Sequence, residues 1–309
     1  MKKFNPLILI LILAITSCSE DNSTNNITTK DVNSFVFTKF NVSTSPNTKI
    51  DSTYYQITSD KIDYYEGFNF ITNQTTSGNY SYENDKISQI KRYSQSNLVH
   101  TSTFKYDNSD KLIELLQEST QGESVYNKHT FTYTGDSIFV NWKRSFNGVD
   151  FTIDVAHSKI VLDTNNNRTY FENFDFSNQT TKAVRTTYDA NNNPIKEEFM
   201  YDSGAGLEIE FTNNIVFENS INTLYQIHSM TFSKHTLMLL YHLNSNAVNN
   251  FNFKSISPNN SKTFESDFGN IFTYSINNVI NEEKYSTLSE FKTFVNSDLF
   301  SAFSYEFFE

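Results

Sequence analysis

The chain has 309 residues, with 24 basic and 35 acidic side chains and a formal net charge of −11. So acidic a surface repels phosphate backbones, which argues against nucleic acid as a partner. Aromatics make up 16% of the chain, with 29 Phe and 18 Tyr, which disordered sequences lack; the mean hydropathy of −0.51 therefore reflects abundant Asn, Ser and Thr around a real core.

The N-terminus reads as an export signal. Lys2 and Lys3 precede an uninterrupted apolar run, Leu7 to Ile15, of nine residues. A helix needs roughly twenty to cross a bilayer, so this run predicts a cleaved signal peptide over residues 1–17. Ile15-Thr16-Ser17-Cys18 resembles the lipobox of bacterial lipoproteins. That resemblance implies cleavage between Ser17 and Cys18, with diacylglycerol on the Cys18 thiol and the membrane as a partner through that lipid. Cys18 is the sole cysteine, so an intramolecular disulfide is excluded. Two or more acyl chains on one cysteine hold stably. Ser19-Glu20-Asp21 is similar to the acidic tag that directs lipoproteins of Bacteroidetes-type bacteria to the cell surface, which implies an outer-membrane, surface-exposed location. Loss of Lys2 and Lys3 leaves 22 basic against 35 acidic side chains, a net charge near −13.

Residues 18–33 are rich in Ser, Thr, Asn and Asp and predict a flexible tether. Residues 34–309 predict a single β-repeat domain. Phe35-Val-Phe37, Tyr80-Ser-Tyr82, Phe104-Lys-Tyr106, Phe131-Thr-Tyr133 and Phe199-Met-Tyr201 place aromatics two apart, on one face of a strand. Asp60-Lys61-Ile62, Asp85-Lys86-Ile87, Asp110-Lys111-Leu112 and Asp136-Ser137-Ile138 follow at steps of 25, 25 and 26 residues. Each unit predicts two antiparallel strands with polar turns, and Asn147-Gly148 is a strong hairpin signal.

Tyr106-Asp107-Asn-Ser-Asp110-Lys111-Leu112 and Tyr188-Asp189-Ala-Asn191-Asn-Asn-Pro194-Ile195 resemble the YD-type hairpin repeats of RHS-like proteins. They also resemble surface lipoproteins of Bacteroidetes-type bacteria, a group without an established activity. In the second group a lipobox, hairpins, an apolar helical insert, a Ser-Pro-Asn-Asn loop and Tyr-rich final strands follow in order. Ser257-Pro258-Asn259-Asn260, Phe272-Thr-Tyr274 and Phe303-Ser-Tyr305-Glu-Phe307 match here. The resemblance implies anchoring and fold and brings no catalytic residue.

Between Ile221 and Leu243 the apolar spacing shifts towards three and four, which predicts one or two short helices; a buried strand is the competing reading. The whole is expected to be all-β, an antiparallel hairpin meander curved into an open half-barrel, with this insert against the concave face.

The remaining constellations favour plain explanations. His228, His235 and His242 are spaced by seven, about 10 Å along a helix, too far apart for one metal ion. Asp163-Thr-Asn165-Asn-Asn167 and Asp189-Ala-Asn191-Asn-Asn193 open like calcium loops, yet Arg168 and Pro194 occupy the required glycine and Phe174 and Met200 the bidentate glutamate. Neither metal nor other cofactor is expected. No nucleophile elbow or phosphate loop occurs, and no catalytic residue is predicted. The Tyr and Phe pairs predict the inner face of the sheet, with a sugar-stacking outer face as the alternative; Trp142 is the single Trp. Two functions remain open: a surface interaction protein binding glycan or protein, and a carrier holding a lipid or other apolar ligand in its half-barrel. A concave face filled by the insert favours the first, and an open apolar one favours the second.

Overall fold

In the computed structural model the residues described are 32–41, 48–122, 124–202, 204–241, 257–267, 272–283, 286–295 and 298–308. Eighteen strands among them form one antiparallel sheet. β1 (Ser34–Asn41), β2 (Thr48–Thr58), β3 (Lys61–Asn69), β4 (Gln74–Glu83), β5 (Lys86–Ser94) and β6 (Asn97–Tyr106) pair in sequence order. β7 (Leu112–Ser119), β8 (Val125–Thr134), β9 (Ser137–Ser145), β10 (Ile153–Leu162), β11 (Arg168–Asp175) and β12 (Thr180–Tyr188) continue the series. β13 (Pro194–Asp202) and β14 (Leu207–Ile221) follow, and β15 (Asn259–Ser266) pairs with β14 after the insert. β16 (Phe272–Ile280), β17 (Ser286–Val295) and β18 (Asp298–Phe308) complete the meander.

The predicted meander therefore forms, and it curves further than half a barrel. β18 pairs back onto β1, Phe35 opposite Phe307 and Phe37 opposite Tyr305. One seam remains, between β15 and β16, bridged where Asn278 Nδ2 donates to the Ser261 carbonyl at 2.9 Å. The curvature has a local cause. Beside six of the turns that follow even-numbered strands the register shifts by one residue, next to Ile57, Tyr82, Tyr106, Leu162, Tyr188 and Ile280, and further shifts lie next to Tyr93 and Phe294 at the other end. Such bulges raise twist and bend the strand, and their repetition rolls the sheet up.

Turns after even-numbered strands lie on one rim and those after odd-numbered strands on the other. The first is the aspartate rim. Ser59-Asp60 and Asn84-Asp85 both take positive φ, the type I′ geometry whose twist suits a hairpin. Asp107, Asp163 and Asp189 share a longer loop. In each, the carboxylate accepts from the backbone N–H groups two and four residues on, and the residue at +3 (Asp110, Asn166, Asn192) takes positive φ. The two would-be calcium loops thus spend their carboxylates on their own backbone.

The Asp-Lys-Ile period has a physical meaning on this rim. Lys61 reaches the Asp85 carbonyl at 2.8 Å and its carboxylate, and Lys86 reaches Asp110 in the same way, one repeat ahead. Lys61, Lys86 and Lys111 lie 5.2, 5.8 and 4.9 Å from the ring centres of Tyr82, Tyr106 and Tyr133. Tyr82 and Tyr133 donate back to the carbonyls of Ile62 and Leu112 at 2.6 and 2.8 Å. Tyr80, Tyr82, Tyr106 and Tyr133 all pack against the same core.

The insert is helical: α1 (Thr223–Phe232) and α2 (Lys234–Leu240). Asn222 caps α1 by accepting from Tyr225 N, and Ser233, at φ 61°, ends it while capping α2. Leu237, Met238, Leu239, Leu240 and Tyr241 are all buried, because strands surround the helix pair. α2 and Phe232 pack on Ile87, Ile90, Phe104, Leu112, Leu115 and Phe131; Leu224 and Ile227 pack on Phe35, Ile57, Ile62 and Tyr305. An asparagine network then stitches the insert to the rim. Asn193 binds Asn259, Asn222 binds the Ser257 carbonyl, and Asn260 binds the Ile221 carbonyl.

One ionic group is sealed inside. Arg168 donates Nη1 to the Tyr241 carbonyl at 2.7 Å and lies 4.2 Å over the Tyr241 ring, whose hydroxyl donates to Glu197 at 3.2 Å. Burial holds the Glu197 carboxyl above its ordinary range, against the pull of Arg168. Removing one member of such a set leaves an uncompensated group in a dry interior. Arg168→Met is expected to cost about 3–5 kcal/mol in urea unfolding, and adding Glu197→Gln should recover part of that loss. A single-mutant cost below about 1 kcal/mol would show that the set does not hold α2 in place.

Candidate functional site

The insert closes one end of the barrel only. α1 enters at the aspartate rim, where Ile62 N donates to Thr231 Oγ1 at 3.1 Å. Towards the other rim a cavity of about 470 Å³ remains, within the size range of small-molecule sites. Strand alternation builds it from inward positions: Phe37 on β1, Asp51, Thr53 and Tyr55 on β2, Tyr65 on β3, Tyr80 on β4, Arg92 on β5 and His100 on β6. His228 and Phe232 of α1 form its floor with Ile62 and Ile90. The result is a cup.

Its walls are a chain of rings. Phe35 stacks on Tyr55 at 4.4 Å, Tyr55 contacts Tyr65 at 5.6 Å, and Tyr65 meets Tyr80 edge-on at 6.5 Å. Tyr80 in turn meets Phe232 at 6.4 Å. Tyr65 can lie flat because Gly78 opposes it across the ladder; a Cβ at Gly78 would come within 2.1 Å of the ring. Arg92 donates Nε to the Tyr65 hydroxyl at 3.1 Å.

The electrostatics follow from burial. Tyr55 and Tyr80 are pushed up by desolvation and remain phenols. Burial lowers His100 to about 4, aided by the Arg92 charge, and lowers His228 to about 3. Asp51 is raised by burial, opposed by Lys39 and by a bond from Thr53. At neutral pH the cup therefore presents phenols, neutral imidazoles, the Arg92 guanidinium and, opposite Lys39, the Asp51 carboxyl.

The rim around the mouth differs from the aspartate rim. Phe68, Phe70, Ile71, Leu98, Phe146 and Val149 are exposed on or beside its turns, with Ile71 at 67% and Val149 at 77%. The outer wall is polar instead. Asp63, Glu66, Lys91, Lys105, Asn141, His157 and Arg185 are exposed, and Lys105–Glu114 and Arg185–Glu198 pair across strands at 2.6 and 3.4 Å. Transmembrane barrels carry a lipid-facing apolar band about 25 Å tall between aromatic girdles. Among the described residues this wall has isolated apolar positions, such as Ile113 and Phe139, and no such band.

No family model matches the chain, and no curated protein matches its sequence. Two similar solved structures are a porin-like protein from Bacteroides uniformis ATCC 8492, at 6% identity and a TM-score of 0.43, and one from Bacteroides vulgatus ATCC 8482, at 15% and 0.42. Each match covers 90% of this chain and 97% of the other.

Ser17, Cys18, Ser19, Glu20 and Asp21 lie outside the described residues, as does His242. His228 lines the cup, while His235 stacks on Tyr133 and lies 3.2 Å from its hydroxyl, so the helical histidines serve different surroundings. Trp142 is far from a sugar platform: it stacks on buried His129 at 5.1 Å and donates Nε1 to Asn127. Of the cup residues, Arg92 and His100 were not singled out by sequence, and Asp51 stood out only in Asp51-Ser-Thr53, which resembles the three-residue O-glycosylation site of Bacteroidetes-type secreted proteins. Their signal was phase, since Arg92 occupies the inward position two after Ile90, and Asp51 that two before Thr53.

A pH dependence follows from the buried imidazoles. His129, beside Gln117 Oε1 at 3.2 Å, is lowered to about 4 by burial. The folded state thus refuses a proton that the unfolded chain takes near pH 6.5, so stability is complete above that pH and is lost on descent towards pH 4. Each of His100, His129 and His228 costs up to about a tenfold fall in the folding constant per pH unit in that window. Urea midpoints should drop between about pH 7 and pH 5, and His129→Gln should flatten the profile. An unchanged slope in that variant would show that His129 takes up its proton without unfolding.

Proposed function

We propose that this protein is a lipid-anchored binding protein of the outer membrane, held by diacylglycerol on Cys18 and taking a small ligand into the cup. The observation that carries this reading is the combination of a charged outer wall with an interior plugged at one end and open at the other. A barrel so faced has little to gain from lipid around its wall. Attachment falls instead to the lipobox, Ile15 to Cys18. β1 starts beside the β2–β3 turn, since Ser34 pairs with Gln56, so residues 18–33 would leave from the plugged end. Sixteen residues reach at most about 55 Å, enough to hold the cup mouth clear of the membrane. Ser19-Glu20-Asp21 supports display on the cell surface.

The lipid-carrier alternative is weakened by the plug. α1 and α2 occupy the concave space that acyl chains would need, and Arg92, Asp51 and two histidines line what remains. The binding-protein reading suits that mixture of ring faces and polar groups better.

Three measurements test it. Cys18→Ala should abolish palmitate labelling and release the protein from the membrane fraction; retained labelling would refute anchoring at Cys18. Protease added to intact cells should degrade the protein, whereas protection until lysis would place it on the periplasmic side. In planar bilayers the purified protein should give no ion conductance, and stepwise channel currents would overturn the plugged-cup reading.

A further inference from the structure

Resting on the reading of the cup as a binding site, we propose that its ligand is a ring-bearing carboxylate, seated ring-first with the acid against Arg92. The argument is the vertical order of the lining. At the floor lie Ile62 and Phe232, both buried and apolar, beside the helix plug. Above them the rings of Tyr55, Tyr65 and Tyr80, tilted and edge-on to one another, make an aromatic wall on which a ring can pack by face or edge. Arg92 comes two residues before the end of β5, at the level of the mouth. Asp51 stands opposite Lys39 in the β1–β2 ladder, so Arg92 above the apolar part of the floor gives the profile of a site for an amphipathic anion.

The class of anion follows from charge. Arg92 carries the positive charge of the lining, because burial and Arg92 itself keep His100 neutral. A guanidinium is planar and matches the two oxygens of a carboxylate. A phosphate monoester, carrying nearly two charges, would meet a single guanidinium in the lining. A cationic ligand would find ring faces, yet it would lie near Arg92, whose Nε donates to the Tyr65 hydroxyl, and be repelled by its charge. The Tyr65 hydroxyl accepts from Arg92 Nε and fixes the direction of the fork before any ligand arrives, so little ordering is left for binding to supply.

Two sources share this chemistry, an aromatic acid and a uronic sugar, and one titration series separates them. The intact mature protein is titrated calorimetrically with phenylacetate, phenylacetamide and phenethylamine, and in parallel with galacturonate and galactose. At least one acid is expected to bind about tenfold or more tightly than its uncharged counterpart. Phenylacetate over galacturonate identifies an aromatic acid, and the reverse identifies a sugar acid. Arg92→Gln should abolish the preference for the acid while leaving the weak binding of the neutral analogue unchanged. The wild-type acid-to-neutral ratio needs no variant and stands even where Arg92→Gln fails to fold. Equal binding of acid and neutral probe, preference for phenethylamine, or an acid preference that survives Arg92→Gln would overturn the inference while leaving the cup as a binding site. No binding by any of the five probes at millimolar concentration would overturn both.

Discussion

Register at the aspartate rim is the constraint on which the rest depends. Side chains alternate across a strand, so a slip of one residue would turn every inward ring outward. Here successive hairpins are tied by contacts drawn from one set: Lys61 and Lys86 to the following aspartate, Lys61, Lys86 and Lys111 over the following tyrosine, and the Tyr82 and Tyr133 hydroxyls back to the preceding hairpin. The ion pairs are exposed and individually weak; Asp85 and Asp110 are largely in solvent. Their value is positional. The half-buried rings of Tyr82, Tyr106 and Tyr133 pack on the core, Tyr82 and Tyr133 add a bond to a carbonyl at the turn, and a slipped register would lose both.

Because that rim fixes the phase, the interior is uniform enough to be filled by two short helices. The insert could not be helical in isolation, since seventeen residues with little charge would gain nothing from water. Strands on every side supply what it needs: apolar contact for Leu237–Leu240, an asparagine cap for α1, and Arg168 beneath the last carbonyl of α2. The same plug decides what can bind. It closes the aspartate end, sets His228 and Phe232 as a floor, and leaves the cup at the opposite end.

Much of this was legible in the sequence, and the gaps have physical causes. The Asp-Lys-Ile spacing placed Asp60, Asp85, Asp110 and Asp136 at turns on one rim, and the aromatic pairs placed Tyr82, Tyr106 and Tyr133 inside. The 26-residue step also has its counterpart, for the hairpin at Asp136 pairs Tyr133 with Ile138 without the bulge found at its neighbours. Closure was not legible. Phe35 and Phe307 come from opposite ends of the chain, and no local pattern marks strands that meet only because accumulated curvature brings them together. The cup was partly legible. A cation in the inward phase of β5 is a visible anomaly, but seeing that Arg92 and Tyr65 share one cavity requires the stagger of two hairpins.

The character of the barrel wall follows from the faces of the strands. In a barrel that crosses a membrane, alternation puts apolar residues outside and polar ones within, and the lumen conducts or is plugged by polar segments. This chain writes the alternation the other way. Ile87, Ile90, Leu112 and Leu115 point in, while Lys91, Lys105 and Glu114 point out. The same period of two, shifted in phase, yields a water-soluble wall around a dry core. Strands so faced offer little apolar surface to a bilayer, which is why the proposed anchor is the Cys18 lipid. The aromatic cup is what that choice of phase leaves at the end that the helices do not reach.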